Sequence, residues 1–392
     1  FYVDGAPQGT PALYLMAAMV AYNTIYQEPV PGNFRPPNSV APELRATFPM
    51  VRDAIWERVS AFDTVVAPSQ QTKVAAKANV TETVAPTTTQ MDEPVQVKYD
   101  ETVKNPSLAM GLNGIADWSV QHPFLDLMKT ARPWVGHSNE QWGAFNAEAI
   151  IAGDYLDDFG WPKRLPEGAR ALESFILTDQ PEDAIGLVGR YVVQYEGSGA
   201  LDIGGRAKNV TRSVDQISFD YTPGEGLVSI AISKTDADDR IRNIKIFREE
   251  HVELVAAGVT FNPAWLARIE NLRALRFMDW MSTNGSTSTT WDKRANINDF
   301  SYVRRGVPAE VMIELANLVG ADPWFNMPHM ADDAYMSAFA NLTKETLRPE
   351  LRAYVEYSNE VWNFIFPQTV YAQEQAKKRW GDKAGDDAWM QF

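Results

Sequence analysis

The 392-residue chain contains no cysteine. That excludes disulfides, thiol nucleophiles, iron–sulfur clusters and cysteine-type zinc sites, but leaves the compartment open. Only four histidines are present, His122, His137, His251 and His329. They are widely separated and none belongs to an HExxH motif, so a histidine-rich metal centre is not expected. Basic charge is also scarce: 36 Lys and Arg stand against 51 Asp and Glu, a formal net charge of −15 and a pI near 4.8. This argues against a nucleic-acid binder built on a basic face. No apolar run approaches the roughly 18–20 residues that span a bilayer, and mean hydropathy is −0.29, so no membrane span is expected. The apolar stretch 13–25 is short and lacks a basic flank; it reads as a buried helix rather than a signal peptide. The first residue, Phe1, is read as a processed or truncated start. What the chain has in quantity is apolar and aromatic side chains, 45% and 11% of residues, with 12 Trp. That suffices for two or three domains with real cores, and sugar-binding clefts are one of several structures that use many Trp.

Residues 1–66 carry helical patterning interrupted by prolines, with apolar residues at helical spacing from Glu43 to Phe62. Residues 67–107 are rich in Ala, Thr, Val, Gln and Pro and read as an extended linker or arm. A first barrel-type unit is assigned to 108–169, with a strand over 110–118 and a helix over 123–130. From 170 to 250 short β-branched and aromatic runs alternate with Gly and Asp turns every 8–12 residues, which predicts an inserted antiparallel β-sandwich. Residues 251–392 return to strand–helix alternation. Strands are expected at 275–280, 323–327 and 351–358, and helices at 263–271, 308–319, 332–347 and 366–380. Repeated βα units imply a parallel sheet. The fold class is therefore α/β, a (β/α)8 TIM-type barrel or only its first half, with an inserted sandwich and a helical N-terminal extension.

In such a barrel, functional residues sit at the C-terminal ends of the strands. The residues expected there are Asn113, Asp117 and Trp118; Asp279, Trp280 and Asn284; Asn326 and His329; and Asn359, Glu360 and Trp362. Exposed indoles can stack on sugar rings. Each residue also has an ordinary structural reading. Asn359 and Glu360 would cap the next helix, Asp117 and Asp279 would pair with Arg132 or Arg276, and most Trp would be core. The Asp236–Asp239 run lacks the glycine and glutamate of an EF-hand loop, and no metal is assigned. Four N-glycosylation patterns, at Asn79, Asn209, Asn284 and Asn341, are too short and frequent to weigh.

The segment YVEYSNEVWN (354–363) resembles the end of strand four in the clan of (β/α)8 glycoside hydrolases that retain anomeric configuration. The stretches GLNGIADWSVQHPFLDLMKTARPW (111–134), LRFMDWMSTN (275–284) and ADPWFNMPHMADDAY (321–335) resemble bacterial proteins labelled cellulose-binding or glycosidase-like. Together the resemblance covers roughly 108–392. It implies a secreted or cell-surface bacterial protein acting on a polysaccharide or oligosaccharide. Glu360 would be the acid/base, with Asn359, Asn326, His329, Asp117, Asp279, Trp118, Trp280 and Trp362 binding substrate. No cofactor is implied.

A retaining mechanism needs a second carboxylate about 5–5.5 Å from the first, and none is identified after the fourth unit. Three alternatives stay open: a longer polypeptide, completion of the fold by residues 1–66 or a partner chain, or a protein that hydrolyses nothing. The exposed edges of a half barrel favour the first two. The competing functions are a non-catalytic carbohydrate-binding or surface protein and an assembly subunit completed by a partner chain or oligomer. The sandwich would either bind carbohydrate or simply wall the cleft.

Overall fold

The computed structural model describes residues 11–26, 28–37, 40–66, 106–213, 216–383, 385, 388–390 and 392. The chain divides into two compact units, 1–92 and 93–392. All but the last two residues of the expected arm, 67–107, lie outside the described residues.

The first unit holds three helices, α1 (Pro11–Tyr26), α2 (Pro42–Ala46) and α3 (Phe48–Val66). The helical spacing over 43–62 is realised as two helices, separated at Thr47, whose Oγ1 bonds back to the Glu43 carbonyl. Pro42 opens α2, where its missing N–H costs nothing. Leu15, Met19, Val30, Val40 and Phe48 form a small core.

The second unit is mixed α/β. It opens with β1 (Ala109–Gly111), much shorter than the strand expected over 110–118. The helix expected at 123–130 is not formed. Phe124 instead bridges to Phe261 in antiparallel fashion, and Leu127–Thr130 makes one 3₁₀ turn capped by the Asp126 carboxylate. The Phe124 bridge holds the start of the segment extended, and the Asp126 cap lets helical turning begin only at Leu127, so a single turn fits before Pro133.

The chain then enters the insert: β2 (Val135–Ser138), α4 (Ala147–Ala152), β3 (Ala169–Ile176), β4 (Gly189–Glu196), β5 (Gly199–Gly205), β6 (Lys208–Arg212), β7 (Ile217–Tyr221), β8 (Val228–Thr235) and β9 (Arg242–Arg248). Two antiparallel sheets result, ordered β2-β3-β8-β5 and β6-β7-β4-β9. Alternate residues of both enter one core, including Leu172, Ile230 and Ile232 from the first sheet and Val193, Phe219 and Ile246 from the second. This is a sandwich. It begins at Val135 rather than at 170, because β2 pairs with β3 although a loop and a short helix separate them.

After α5 (Val252–Ala256) and the short α6 (Pro263–Leu266), where 263–271 had been expected as helix, the alternation resumes. It runs β10 (Ala274–Arg276), α7 (Ala309–Val319), β11 (Asp322–Met327), α8 (Asp333–Thr346), β12 (Tyr354–Tyr357) and α9 (Pro367–Trp380). β1, β10, β11 and β12 form a parallel sheet in that order. Among the described residues the sheet is open, with β1 and β12 at its edges, and no closed barrel is seen. Its pleat sorts side chains by face. Leu275, Phe325 and Met327 join Val311, Leu315 and Phe339 of the covering helices in one core. Arg276, Trp324, Asn326 and Glu356 occupy the other face. No helix among the described residues is long and apolar enough to cross a membrane.

Candidate functional site

The polar face of the parallel sheet is organised around Glu356, a residue that sequence reasoning passed over. Its Oε2 accepts from Arg276 Nε (3.2 Å) and Nη2 (2.8 Å), from Trp324 Nε1 (3.0 Å) and from Asn326 Nδ2 (2.7 Å). Register explains the gathering: Arg276 lies opposite Trp324, and Asn326 opposite Glu356. Arg276 also lies against the Trp324 ring at 5.5 Å. The signal available in the sequence was the position of Glu356 four residues before Glu360 on the same strand end, but only the neighbouring strands reveal its partners.

Asn359 is buried and held through both its side-chain oxygen and nitrogen, with one of the two Nδ2 hydrogens donated. Its Oδ1 accepts from Arg276 Nη2 (2.9 Å) and its Nδ2 donates to Asn284 Oδ1 (3.0 Å). Gln368 of α9 locks the arrangement. Its Nε2 donates to Asn284 Oδ1 and to the Asn359 carbonyl, both at 2.8 Å, and its Oε1 accepts from Gly285 N. The loops after β10 and β12 are thus tied together. Gly285 has φ +66°, a conformation that favours glycine.

Glu360 is half-buried, and its Oε2 accepts from Asn363 Nδ2 at 2.9 Å. Neither Asn359 nor Glu360 caps the following helix, whose N-cap is Phe366. Glu360 has φ +43°, Ser358 φ +58°, and Ser282, after β10, φ +47°. Such non-glycine left-handed residues carry strain of order 1 kcal/mol or more and collect at functional sites. The other five in the described residues lie in the insert.

Asn326 and His329 are buried at the end of β11. Asn326 Nδ2 is satisfied by Glu356 and by the Ser358 carbonyl. Asn326 Oδ1, His329 Nδ1 and Ser358 Oγ are buried without a hydrogen-bond partner. A buried unpaired polar atom costs about 1–3 kcal/mol, and three at adjacent strand ends call for a reason. Burial pushes the His329 imidazole below its usual value, and its ring meets Tyr371 edge-on at 5.2 Å.

The remaining expected residues separate. Trp362 is exposed in the loop after β12. Asp279 lines a cavity of about 300 Å³ with Gly114, Thr283 and Asn284. Partial burial raises its carboxyl above the ordinary range, against the pull of Arg276. Arg276 makes its salt bridge to Glu356. Trp280 is wholly buried, donates to the Asn113 carbonyl at 3.0 Å and packs on Phe124, Trp265 and Phe277. It is a core residue with no face open to a sugar. Asp117 is buried and holds Arg132 through Nε (3.2 Å) and Nη2 (2.7 Å), while Thr178 Oγ1 also donates to it. It fastens the loop after β1 to the insert. Trp118 beside it is exposed.

A larger cavity, about 620 Å³, lies between the insert and α7. Its charged groups are largely spent internally. Lys129 Nζ donates to the Ile297 and Asp299 carbonyls, Glu310 accepts from Arg294, and Glu314 accepts from Thr260. That cavity holds one strained residue, Asn243, and one unpaired oxygen, Glu310 Oε2. The strand ends gather three strained residues, Ser282, Ser358 and Glu360, and three unpaired polar atoms, on Asn326, His329 and Ser358, and are the better candidate. No group of three or more His, Asp or Glu among the described residues is disposed to hold a metal. Asp236 Oδ1 instead accepts from the backbone N–H groups of Asp238 and Asp239, closing the β8–β9 turn.

Comparison with protein-family models, with curated proteins and with solved structures finds no match to this chain.

Proposed function

We propose that this protein is a secreted or surface glycoside-hydrolase-like protein acting on a polysaccharide, and that its parallel sheet is a segment of a (β/α)8 barrel. The observation that carries the reading is the pairing of Asn359 and Glu360 at the end of the fourth parallel strand. Asn359 is held there by Arg276 and Asn284, next to the unpaired Asn326 Oδ1, His329 Nδ1 and Ser358 Oγ.

In this reading Glu360 gives its proton to the glycosidic oxygen as the bond to the leaving sugar breaks, and later takes one from water. Asn363, the hydrogen-bond donor to Glu360, orients the carboxyl. Asn359, already fixed on both sides, presents its amide to a sugar hydroxyl. His329, neutral at neutral pH, and Asn326 offer acceptors to further hydroxyls, and Trp362 offers a ring face. The carboxylate that attacks the anomeric carbon is not assigned.

Glu356, the other carboxylate on the polar face, is held by Arg276, Trp324 and Asn326. That commitment favours a second reading, a carbohydrate-binding protein without turnover. Reducing-end release across a panel of soluble polysaccharides separates the two. Hydrolysis that Glu360→Gln lowers 10²-fold or more, the scale for a general acid, supports the enzyme. Release unaffected by Glu360→Gln overturns the assignment, and binding without release supports the second reading.

A further inference from the structure

Of the twelve tryptophans, three are exposed: Trp362, Trp118 and Trp142. The first two occupy loops at the ends of parallel strands. Trp142 lies on the insert, in the loop after β2, and is 66% exposed.

Trp142 is seated on the outer face of the β2-β3-β8-β5 sheet. Leu172 and Ile176 of β3 face the sandwich core, so Glu173 and Phe175 face outward, beside His137 of β2. The Trp142 ring stacks on His137 with centroids 4.9 Å apart and planes 20° from parallel. His137 cannot turn: its Nδ1 accepts from Gly143 N at 2.9 Å, so its Nε2 carries the proton and donates to Glu173 Oε2 at 2.7 Å. Phe175, outside the sandwich core yet 2% exposed, is covered by Trp142 (6.2 Å) and by the Arg132 guanidinium (5.4 Å). The same guanidinium lies over the Trp118 ring at 5.8 Å, with Asp117 gripping it through two hydrogen bonds. Trp118, Arg132, Phe175 and Trp142 therefore form one continuous row from the loop after β1 onto the sandwich.

Two large indoles left in water are costly unless something covers them. Here both are fixed in place, by an imidazole and by a clamped guanidinium, before any ligand arrives. A rigid aromatic face loses little entropy on binding and matches the C–H face of a pyranose ring. A net charge of −15 repels anionic polymers such as nucleic acids and polyuronates.

We infer that Trp118, Arg132 and Trp142 form an accessory platform that holds a neutral polysaccharide chain across the insert toward the strand-end site. This rests on the carbohydrate reading of that site and adds the substrate class and the role of the insert.

The test is affinity electrophoresis of the full chain in gels containing mixed-linkage β-glucan, xylan or galactomannan, with polygalacturonate as the anionic control. It is run in the Glu360→Gln background so that the matrix stays intact. The platform requires retardation by at least one neutral glycan, weakened about tenfold by Trp142→Ala, the loss expected for one stacked ring, and largely kept by Trp142→Phe. In the parent background Trp142→Ala leaves turnover of a short oligosaccharide unchanged. If Trp142→Ala fails to fold, Trp118→Ala, whose ring is exposed, carries the same measurement. Unchanged retardation in the Trp variants, preference for polygalacturonate, or no retardation by any neutral glycan overturns the platform. Trp-dependent binding with no reducing-end release keeps the platform and overturns the enzymatic reading alone. Hydrolysis with binding indifferent to both Trp residues does the reverse.

Discussion

Single side chains on the polar face of the parallel sheet are worth more than their number suggests, because each satisfies several others. Glu356 accepts from three residues at once. Removing it strands Arg276, Trp324 Nε1 and Asn326 Nδ2 together. The pair with Arg276 is about one-third exposed on each side, so the loss is smaller than for a deeply buried pair. We expect Glu356→Ala to destabilise the protein by about 2–3 kcal/mol, read by urea unfolding, and Glu356→Gln to recover part of that. Titration supplies a second prediction. Burial holds the imidazoles of His122 and His329 below 6.5. The unfolded chain therefore binds those protons first, and stability falls as pH drops below 6.5 toward the folded-state values. Asp126 and Glu314, raised by burial, act in the opposite sense: their contribution is present at low pH and is lost as pH rises through their folded values. A difference measurement isolates the histidine effect. His122→Gln, which keeps a donor for Gln180 Oε1, should gain melting temperature relative to the parent as pH falls from 7 to 5. A constant gap across that range would remove His122 from the account.

At the level of elements, the helices covering the parallel sheet begin with different devices. Asp332 caps α8 by accepting from Tyr335 N at 2.7 Å. Pro308 opens α7 without a side-chain cap, and Gly320, φ +68°, ends it. Asp332→Ala should cost about 1 kcal/mol, measured by thermal melting, while Asp332→Ser should cost much less. Strand patterning was readable because β-branched runs set off by glycines leave few alternatives. β4, β5, β7, β8 and β9 all fall among the turn-separated runs of 170–250, whereas no separate run marks β3. β2 was missed because four residues beginning in Val135-Gly136 carry no alternation until β3 lies beside them. β6 was missed because all five of its residues are exposed.

The whole second unit is held together by contacts that no local pattern encodes. Asp117 ties the loop after β1 to Arg132, just before the insert, and to Thr178 within it. Its carboxylate is buried while Arg132 is partly exposed. Asp117→Ala should lower stability by about 2–3 kcal/mol and should open the 112–122 loop to limited proteolysis; unchanged protease resistance would show that the loop is held by other contacts.

The amino-acid sequence by itself determined the parallel βα alternation of 251–392, the inserted sandwich, and the short list of strand-end residues that included Asn359, Glu360, Asn326 and His329. Hydrophobic period and turn residues act over neighbouring positions, and those are visible in one dimension. Tertiary structure decided which of the alternative roles each polar or aromatic residue takes, as where Asp117 takes the expected partner Arg132. Trp280 and Trp118 look alike in sequence, each following an aspartate at the end of a strand. One is sealed among Phe124, Trp265 and Phe277, and the other lies in water over Arg132. Arg276 could have paired with Asp279 but meets Glu356, eighty positions away, because strand register brings it there. Burial and pairing depend on which segments become neighbours, and that is a property of the packed chain.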